Sequence, residues 1–338
     1  MNDFGLWPLL NSVEWEDWNG QVRDGFEGEV LRGQATLWQC IFGFVDGMAL
    51  KRVLPLGIHN IINSHGRPLS LSSIAKATNH SSLDTDRLSR VMTLLIRREI
   101  FSSIEVGVET LYGLTNSSKW LLGNSEMSLA PFFLLEHHPY LFESWHHLAD
   151  IVKEGGSGLA KSHNVQDNWK FPAANPDFSN LFNQAIAGAS KIIVEAVKTS
   201  YEEEFNGIET LVYVGGGIET MVSEIMKAHP ISKVSTLIFH LWSLRHPSTE
   251  AISDQKKGKV IIIEAVLSPE GSDLFDDTGV RFDPLMMVQI NAKERSEAEW
   301  KFSLEKAGLG VSQNGKFCWR KQASQHQDYQ NSSPSFNY

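Results

Sequence analysis

Three sets of residues have the types and spacing that chemistry needs. The first is Thr210-Leu-Val-Tyr-Val, then Gly215, Gly216 and Gly217, then Ile218-Glu-Thr with Met221, Ile225 and Met226 at helical spacing. That order reads as strand, glycine turn and helix. Glycines there let backbone approach a ligand closely, and the following helix start favours an anionic group. The run matches neither GxGxxG nor a phosphate-binding loop, since no Gly-Lys-Ser/Thr follows. The second set is a pair of carboxylates. Glu264 follows the apolar run Val260-Ile-Ile-Ile, of strand length and of the kind buried on both faces of a parallel sheet, so it stands where sheet ligands usually sit. Glu294, in Lys293-Glu-Arg295, precedes a helix and reads either as a functional acid or as a helix-start carboxylate stabilised by the macrodipole. The third set is the imidazoles His137, His138, His146 and His147 within residues 127–150, where Glu143/His147 and His146/Asp150 stand four apart, so that each pair could share one helix face. No HExxH or comparable spacing accompanies them, so no metal site is expected. An aromatic and imidazole-rich pocket wall including Trp145 fits them better.

The elements that must position these groups follow from periodicity. From Val30 to Asn63 the pattern is helical, with Leu37, Ile41, Phe44, Val45 and Met48 three and four apart and a break at Pro55 and Gly57. Ser70 or Ser72 starts a second helix and Asp84 or Asp86 a third, whose apolar face is Leu88, Val91, Met92, Leu94 and Leu95. A hairpin turning at Gly107 completes a winged helix. Arg87, Arg90, Arg97 and Arg98 would be its basic face on nucleic acid, but the chain carries 40 acidic against 30 basic residues and those arginines interleave with core positions. A packing or dimer module is the expected role. After a loop at 172–176, a helix carries Leu181, Phe182, Ile186, Ala189, Ile192, Ile193 and Ala196. A last helix, 297–307, ends at Gly308, and residues 320–338 are polar and expected to be disordered.

Composition bounds the rest. A chain of 338 residues predicts about two domains, and 42% hydrophobic with 21% charged residues excludes wholesale disorder. No run suits a membrane span, the N-terminus lacks a basic n-region, and two cysteines, Cys40 and Cys318, fit a reducing compartment. A cytoplasmic protein that binds neither nucleic acid nor membrane is expected.

Taken in order, these segments resemble the plant small-molecule O-methyltransferases, the S-adenosylmethionine-dependent enzymes of caffeic-acid, flavonoid and alkaloid type. The resemblance runs from Leu31 to Leu309: GQATLW and GFVDGMALKRVLPLGI with the winged helix, FNQAIAGAS, LVYVGGG, GKVIIIEAVL, DPLMMV and AKERSEAEW. It implies an α/β protein with a mostly helical winged-helix dimerisation domain and a Rossmann-like methyltransferase domain. The segments would be a leader (1–30), the dimerisation domain (31–125), linker and pocket helices (126–200), the cofactor-binding domain (201–319) and a tail (320–338). In such enzymes a histidine takes the proton of a phenol, the phenolate attacks the donor methyl, and two carboxylates orient the histidine. By motif those acids are Glu264 and Glu294. Gly215, Gly216 and Gly217 would lie against the methionine end of S-adenosylmethionine, with Ser190 nearby. Ile186 would face the substrate ring, where many relatives carry methionine, together with Trp145. The partners implied are a small phenol and a homodimer or heterodimer through the first domain.

The departures are as informative. Tyr213 replaces the turn's acid and Glu219 its last glycine, and His240 stands where the family carries the aspartate that holds the ribose. Only seventeen residues, Trp242 to Gly258, separate that point from the next landmark. Two strand–helix units of roughly 30 residues each belong there. The expected domain therefore lacks central strand–helix units, including the His-Asp-Trp segment that bears the family's base. His240-Leu-Trp242 is the candidate remnant, at the cost of the ribose acid. Methyl transfer is expected to be impaired, the alternative being a non-catalytic dimerisation partner of full-length relatives.

Overall fold

A computed structural model describes residues 26–78, 80, 83–165, 170–201, 205, 210–214, 220–229, 231, 233–237, 262–268, 270–271 and 274–306. The glycine turn, His240 and residues beyond 306 lie outside the described residues, and with them the expectations for the tail. Two compact units divide between Lys119 and Trp120, a few residues before the boundary read from sequence.

The first unit opens with α1 (Phe26–Val53), which begins within the stretch assigned to the leader. Pro55 cannot continue a helix, and Gly57, at φ +66°, takes the left-handed turn into α2 (Ile58–His65). Of the two serines offered as a cap, it is Ser70, in β1 (Leu69–Ser70), that accepts from Ser73 N–H to start α3 (Leu71–Ala77). Of the two aspartates it is Asp84, whose Oδ1 accepts the N–H groups of Asp86 and Arg87 at 3.1 and 3.0 Å to start α4 (Thr85–Arg97). Strands β2 (Phe101–Val106) and β3 (Glu109–Leu114) pair from Phe101↔Leu114 to Val106↔Glu109, and β1 adds to β3. Helix α5 (Asn116–Lys119) closes the unit. The core is Val53, Ile58, Ile62, Ile74, Met92, Leu95 and Phe101. Two of the arginines considered for a basic face are held in ion pairs, Arg87 with Asp84 and Arg98 with Asp46 at 2.9 Å.

The second unit begins with short helices: α6 (Ala130–Glu136), α7 (Pro139–Trp145), α8 (Leu148–Glu154), α9 (Gly158–His163) and α10 (Lys170–Ala174). The long α11 (Pro176–Tyr201) follows. Two expectations are corrected here. The loop at 172–176 is instead the junction of α10 and α11, with proline at the first helical position of α11, where its missing N–H costs nothing. The His/acid pairs four apart do not share a helix face, because the chain breaks between α7 and α8; His147 Nδ1 meets Asp150 Oδ2 at 3.5 Å instead. Leu135, Leu141, Leu159, Phe171, Phe178 and Ala185 form the core here, and Tyr140 stacks edge-on with Phe171 at 5.0 Å. Beyond it, β4 (Thr210–Val214) pairs in parallel with β5 (Lys233–Leu237), and α12 (Thr220–Ala228) packs on α11. The last helices are α13 (Asp276–Ile290) and α14 (Glu297–Lys306).

The apolar run before Glu264 is a further correction. Among its described residues, 262–267, it forms no ladder strand; its one bridge is Val266↔Arg295, and Ile262 is 40% exposed. A run of that composition needs neighbours on both edges to be buried as a central strand. Ile263 still packs against the core of Val197, Phe205 and Ile225, which fixes the segment beside α11 and α12.

Candidate active site

The site begins with how α13 ends. Asn291 adopts a left-handed conformation (φ 56°), and its N–H and that of Ala292 bond back to Met287 and Met286 carbonyls. The chain therefore reverses and runs back along its own helix. About three extended residues at roughly 3.3 Å each cover the same length as seven helical ones at about 1.5 Å. That arithmetic brings Glu294 level with Asp283, and Glu294 N–H donates to Asp283 Oδ1 at 2.8 Å. One residue on, the Arg295 carbonyl accepts Leu267 N–H at 2.9 Å and completes the bridge to Val266. The two acids singled out in sequence are thus brought together from separate segments, both half-buried.

Their electrostatics follow from that placement. Burial pushes the Glu264 carboxyl up to about 7, helped by the negative charge of Glu294 and opposed by Arg295. Burial also raises Glu294, with Asp283 adding repulsion and Arg295 again opposing. Arg295 lies over the Trp300 ring, 5.0 Å from its centroid. Glu294 does not cap a helix: α14 is started by Ser296 and Glu299, each accepting the other's N–H at 2.9 and 3.3 Å. A carboxyl titrating near neutrality beside a second acid suits proton transfer and the orientation of a neighbouring base.

Of the other residues read from sequence, Ile186 and Ser190 stand one turn apart on α11, both half-buried. Between them Gly188 approaches the Ser128 backbone so closely that a Cβ would lie 2.6 Å from its carbonyl oxygen. Trp145 ends α7, half-buried. Gly215, Gly216, Gly217 and His240 fall outside the described residues. Among the described residues no cluster of ligating side chains could hold a metal ion. Sequence reasoning missed two acids. Asp283 sat inside the DPLMMV landmark with no role attached. Glu136, the one acid in APFFLLE, accepts Gln289 Nε2 at 2.7 Å, and burial pushes its carboxyl up to about 6 against the lowering effect of that bond.

A winged-helix unit, followed by a unit that holds a parallel strand pair, its crossover helix and a half-buried carboxyl pair, fits a two-domain class of small-molecule enzyme. The chain belongs to the O-methyltransferase family: residues 38–124 match the O-methyltransferase dimerisation domain, and residues 145–243 and 244–310 match the O-methyltransferase domain. It is 38% identical to (R,S)-reticuline 7-O-methyltransferase of Papaver somniferum over 332 residues, covering 83% of this chain and 93% of that one. It is 37% identical to desmethylxanthohumol 6'-O-methyltransferase of Humulus lupulus, with 83% and 94% covered. The fold also matches the calicheamicin-biosynthesis methyltransferase CalO1, solved with S-adenosylhomocysteine, at TM-score 0.65 and 16% identity, with 84% and 94% covered. The reticuline alignment spans 332 positions yet takes in 83% of these 338 residues, so about fifty of its positions have no counterpart here. The two matched pieces of the catalytic domain abut at 243/244, within the interval found too short for its strand–helix units.

Proposed function

We propose that this chain uses S-adenosylmethionine to methylate a phenolic hydroxyl of a small aromatic metabolite, at a rate lowered by the loss of the segment that bears the family's base. The observation that carries the reading is the Glu264–Glu294 pair, held together by the Asp283 and Arg295 contacts with one carboxyl near neutrality. The parallel β4/β5 pair with α12 after the turn is the frame that fits such a cofactor, since ligands of parallel sheets sit beyond the strand ends. Gly215, Gly216 and Gly217 with Ser190 would hold its methionine end, and the cofactor would supply an electrophilic methyl group. Ile186 and Trp145 would face the substrate ring. Glu264 and Glu294 would orient and charge-balance whichever group takes the phenolic proton. A general base contributes about 10²–10⁴-fold, which sets the expected deficit against a full-length relative.

Calorimetric titration of the purified chain with S-adenosylhomocysteine tests the reading, followed by methyl transfer to reticuline and to a panel of chalcones. Micromolar binding with slow turnover is the expected result; no heat from a folded sample would remove the cofactor from the account.

The abutting matches at 243/244 favour a second reading, a dimerisation partner without turnover of its own. Co-expression with a full-length relative decides it, since the reading requires a mixed dimer on crosslinking.

A further inference from the structure

The carboxyl pair is not self-supporting. Glu264 and Glu294 repel each other, both are half-buried, and Arg295, the cation beside them, also stacks on Trp300. Something must hold the 291–295 segment in place against that repulsion. The bridge to Val266 fixes Arg295, one residue beyond the acid. Besides the Asn291 and Ala292 bonds to α13 and the Lys293–Glu299 pair, Glu294 itself is attached by the 2.8 Å bond from its N–H to Asp283 Oδ1, spanning eleven residues and tying the returning segment to the middle of α13. An aspartate is a costly anchor at this position, because its charge faces the very acid it holds. It is also followed by Pro284, which has no N–H to donate within the helix.

We infer that Asp283 is a positioning residue of the methyl-transfer site: its Oδ1 pins the Glu294 backbone, and its carboxylate stands against the acid that it holds. The inference rests on the functional reading above only for the purpose of the pair; the device itself belongs to the protein without ligand. The charged groups that bear on Glu294 are Asp283 on α13 and its own neighbour Arg295, while Glu294 bears in turn on Glu264 of the facing segment.

The two acts separate in substitutions. Asp283→Asn keeps an oxygen acceptor and removes the charge; Asp283→Ala removes both. The readout is the titration of the glutamate side chains by carbon-13 NMR on the full chain with labelled glutamate, the two resonances assigned with Glu264→Gln and Glu294→Gln. In Asp283→Asn the Glu294 midpoint falls toward the ordinary carboxylate range while Glu264 keeps its midpoint near 7. In Asp283→Ala the Glu264 midpoint falls as well, because Glu294 is no longer held against it. A merely structural anchor would leave the Glu294 midpoint of Asp283→Asn unchanged, and that result overturns the inference even if the alanine variant fails to fold. An Asn variant that also loses the elevated Glu264 midpoint overturns it too, since the retained oxygen would then not be what holds the segment. Titration with S-adenosylhomocysteine on the same samples keeps the outcomes apart: failure to bind strikes the functional reading and leaves the carboxyl titrations standing.

Discussion

Gln289 Nε2 donates to Glu136 Oε2 at 2.7 Å, joining α13 to α6 across 153 residues of sequence. The bond offsets only part of what burial costs the charged carboxyl, whose pKa rises from 4.5 to about 6. A raised carboxyl binds its proton more tightly in the folded state, so its contribution is full below about pH 4.5 and is lost as pH rises through about 6. Glu136→Gln keeps an acceptor and cannot ionise. It should raise the midpoint of thermal unfolding at pH 7.5, by the equivalent of about 1–2 kcal/mol, and change it little at pH 4.5. Melting curves of both proteins at the two pH values check this, and a variant destabilised equally at both would contradict it.

Glu264 extends the same window upward, since its carboxyl titrates near 7 rather than 4.5. The parent should therefore lose stability between pH 5 and 7.5, and Glu264→Gln should flatten that fall. With turnover as the readout, the same substitution should remove whatever pH dependence methyl transfer has in that interval. A retained slope of unchanged midpoint would assign the titration to another group.

Gly188 tests the packing of α11. Alanine in a helix interior gains about 1 kcal/mol over glycine from backbone entropy alone. Here the added Cβ would stand 2.6 Å from the Ser128 carbonyl oxygen, a backbone atom that cannot rotate away. Overpacking of this kind costs about 1–3 kcal/mol, so the clash wins and Gly188→Ala lowers the melting point. Because Ile186 and Ser190 flank it, the same change should weaken S-adenosylhomocysteine binding in calorimetry.

How far the sequence alone carried depended on the kind of signal. Each cap was legible to within a pair, Ser70 or Ser72 and Asp84 or Asp86, because the physics is local: an oxygen two or three residues ahead of orphan N–H groups. The hairpin at Gly107, with its φ of +63°, was equally local. The break between α7 and α8 was not legible, since Glu143, His146, His147 and Asp150 keep helical spacing across it. Nor was the fate of the run before Glu264, because an apolar composition suits a central strand, whereas among the described residues its segment makes only the bridge to Arg295. The Asp283–Glu294 contact was hidden for another reason. It arises from a chain reversal at Asn291, an ordinary asparagine whose left-handed backbone no spacing announces.

Asp84 also offers a calibrated test of the first unit. Its Oδ1 is the acceptor for two otherwise orphan N–H groups of α4. Asp84→Ala should cost about 1 kcal/mol, within the usual range of about 0.5–2 for a lost cap, and Asp84→Asn or Asp84→Ser should recover most of it. Denaturant midpoints of the three variants give the comparison.

The last prediction concerns α1. Leu37, Ile41 and Phe44 follow one another at spacings of four and three, so they share one face, and they stand 65%, 55% and 61% exposed within their own unit. Trp38 and Phe42 add a stacked pair beside them at 5.6 Å. So much apolar surface on one helix fits an interaction face, in keeping with the match of residues 38–124 to a dimerisation domain. Ile41→Asp with Phe44→Asp would place two charges where a partner helix must exclude water, with no counter-charge to meet them. Light scattering should then report a dimer for the parent and a monomer for the double variant. Neither side chain belongs to the buried core of Val53, Ile58 and Met92, so the variant should keep the helical circular dichroism of the parent. A double variant that remains dimeric would move the interface to another surface, whereas one that is monomeric yet folded would show that α1 carries association without carrying the fold.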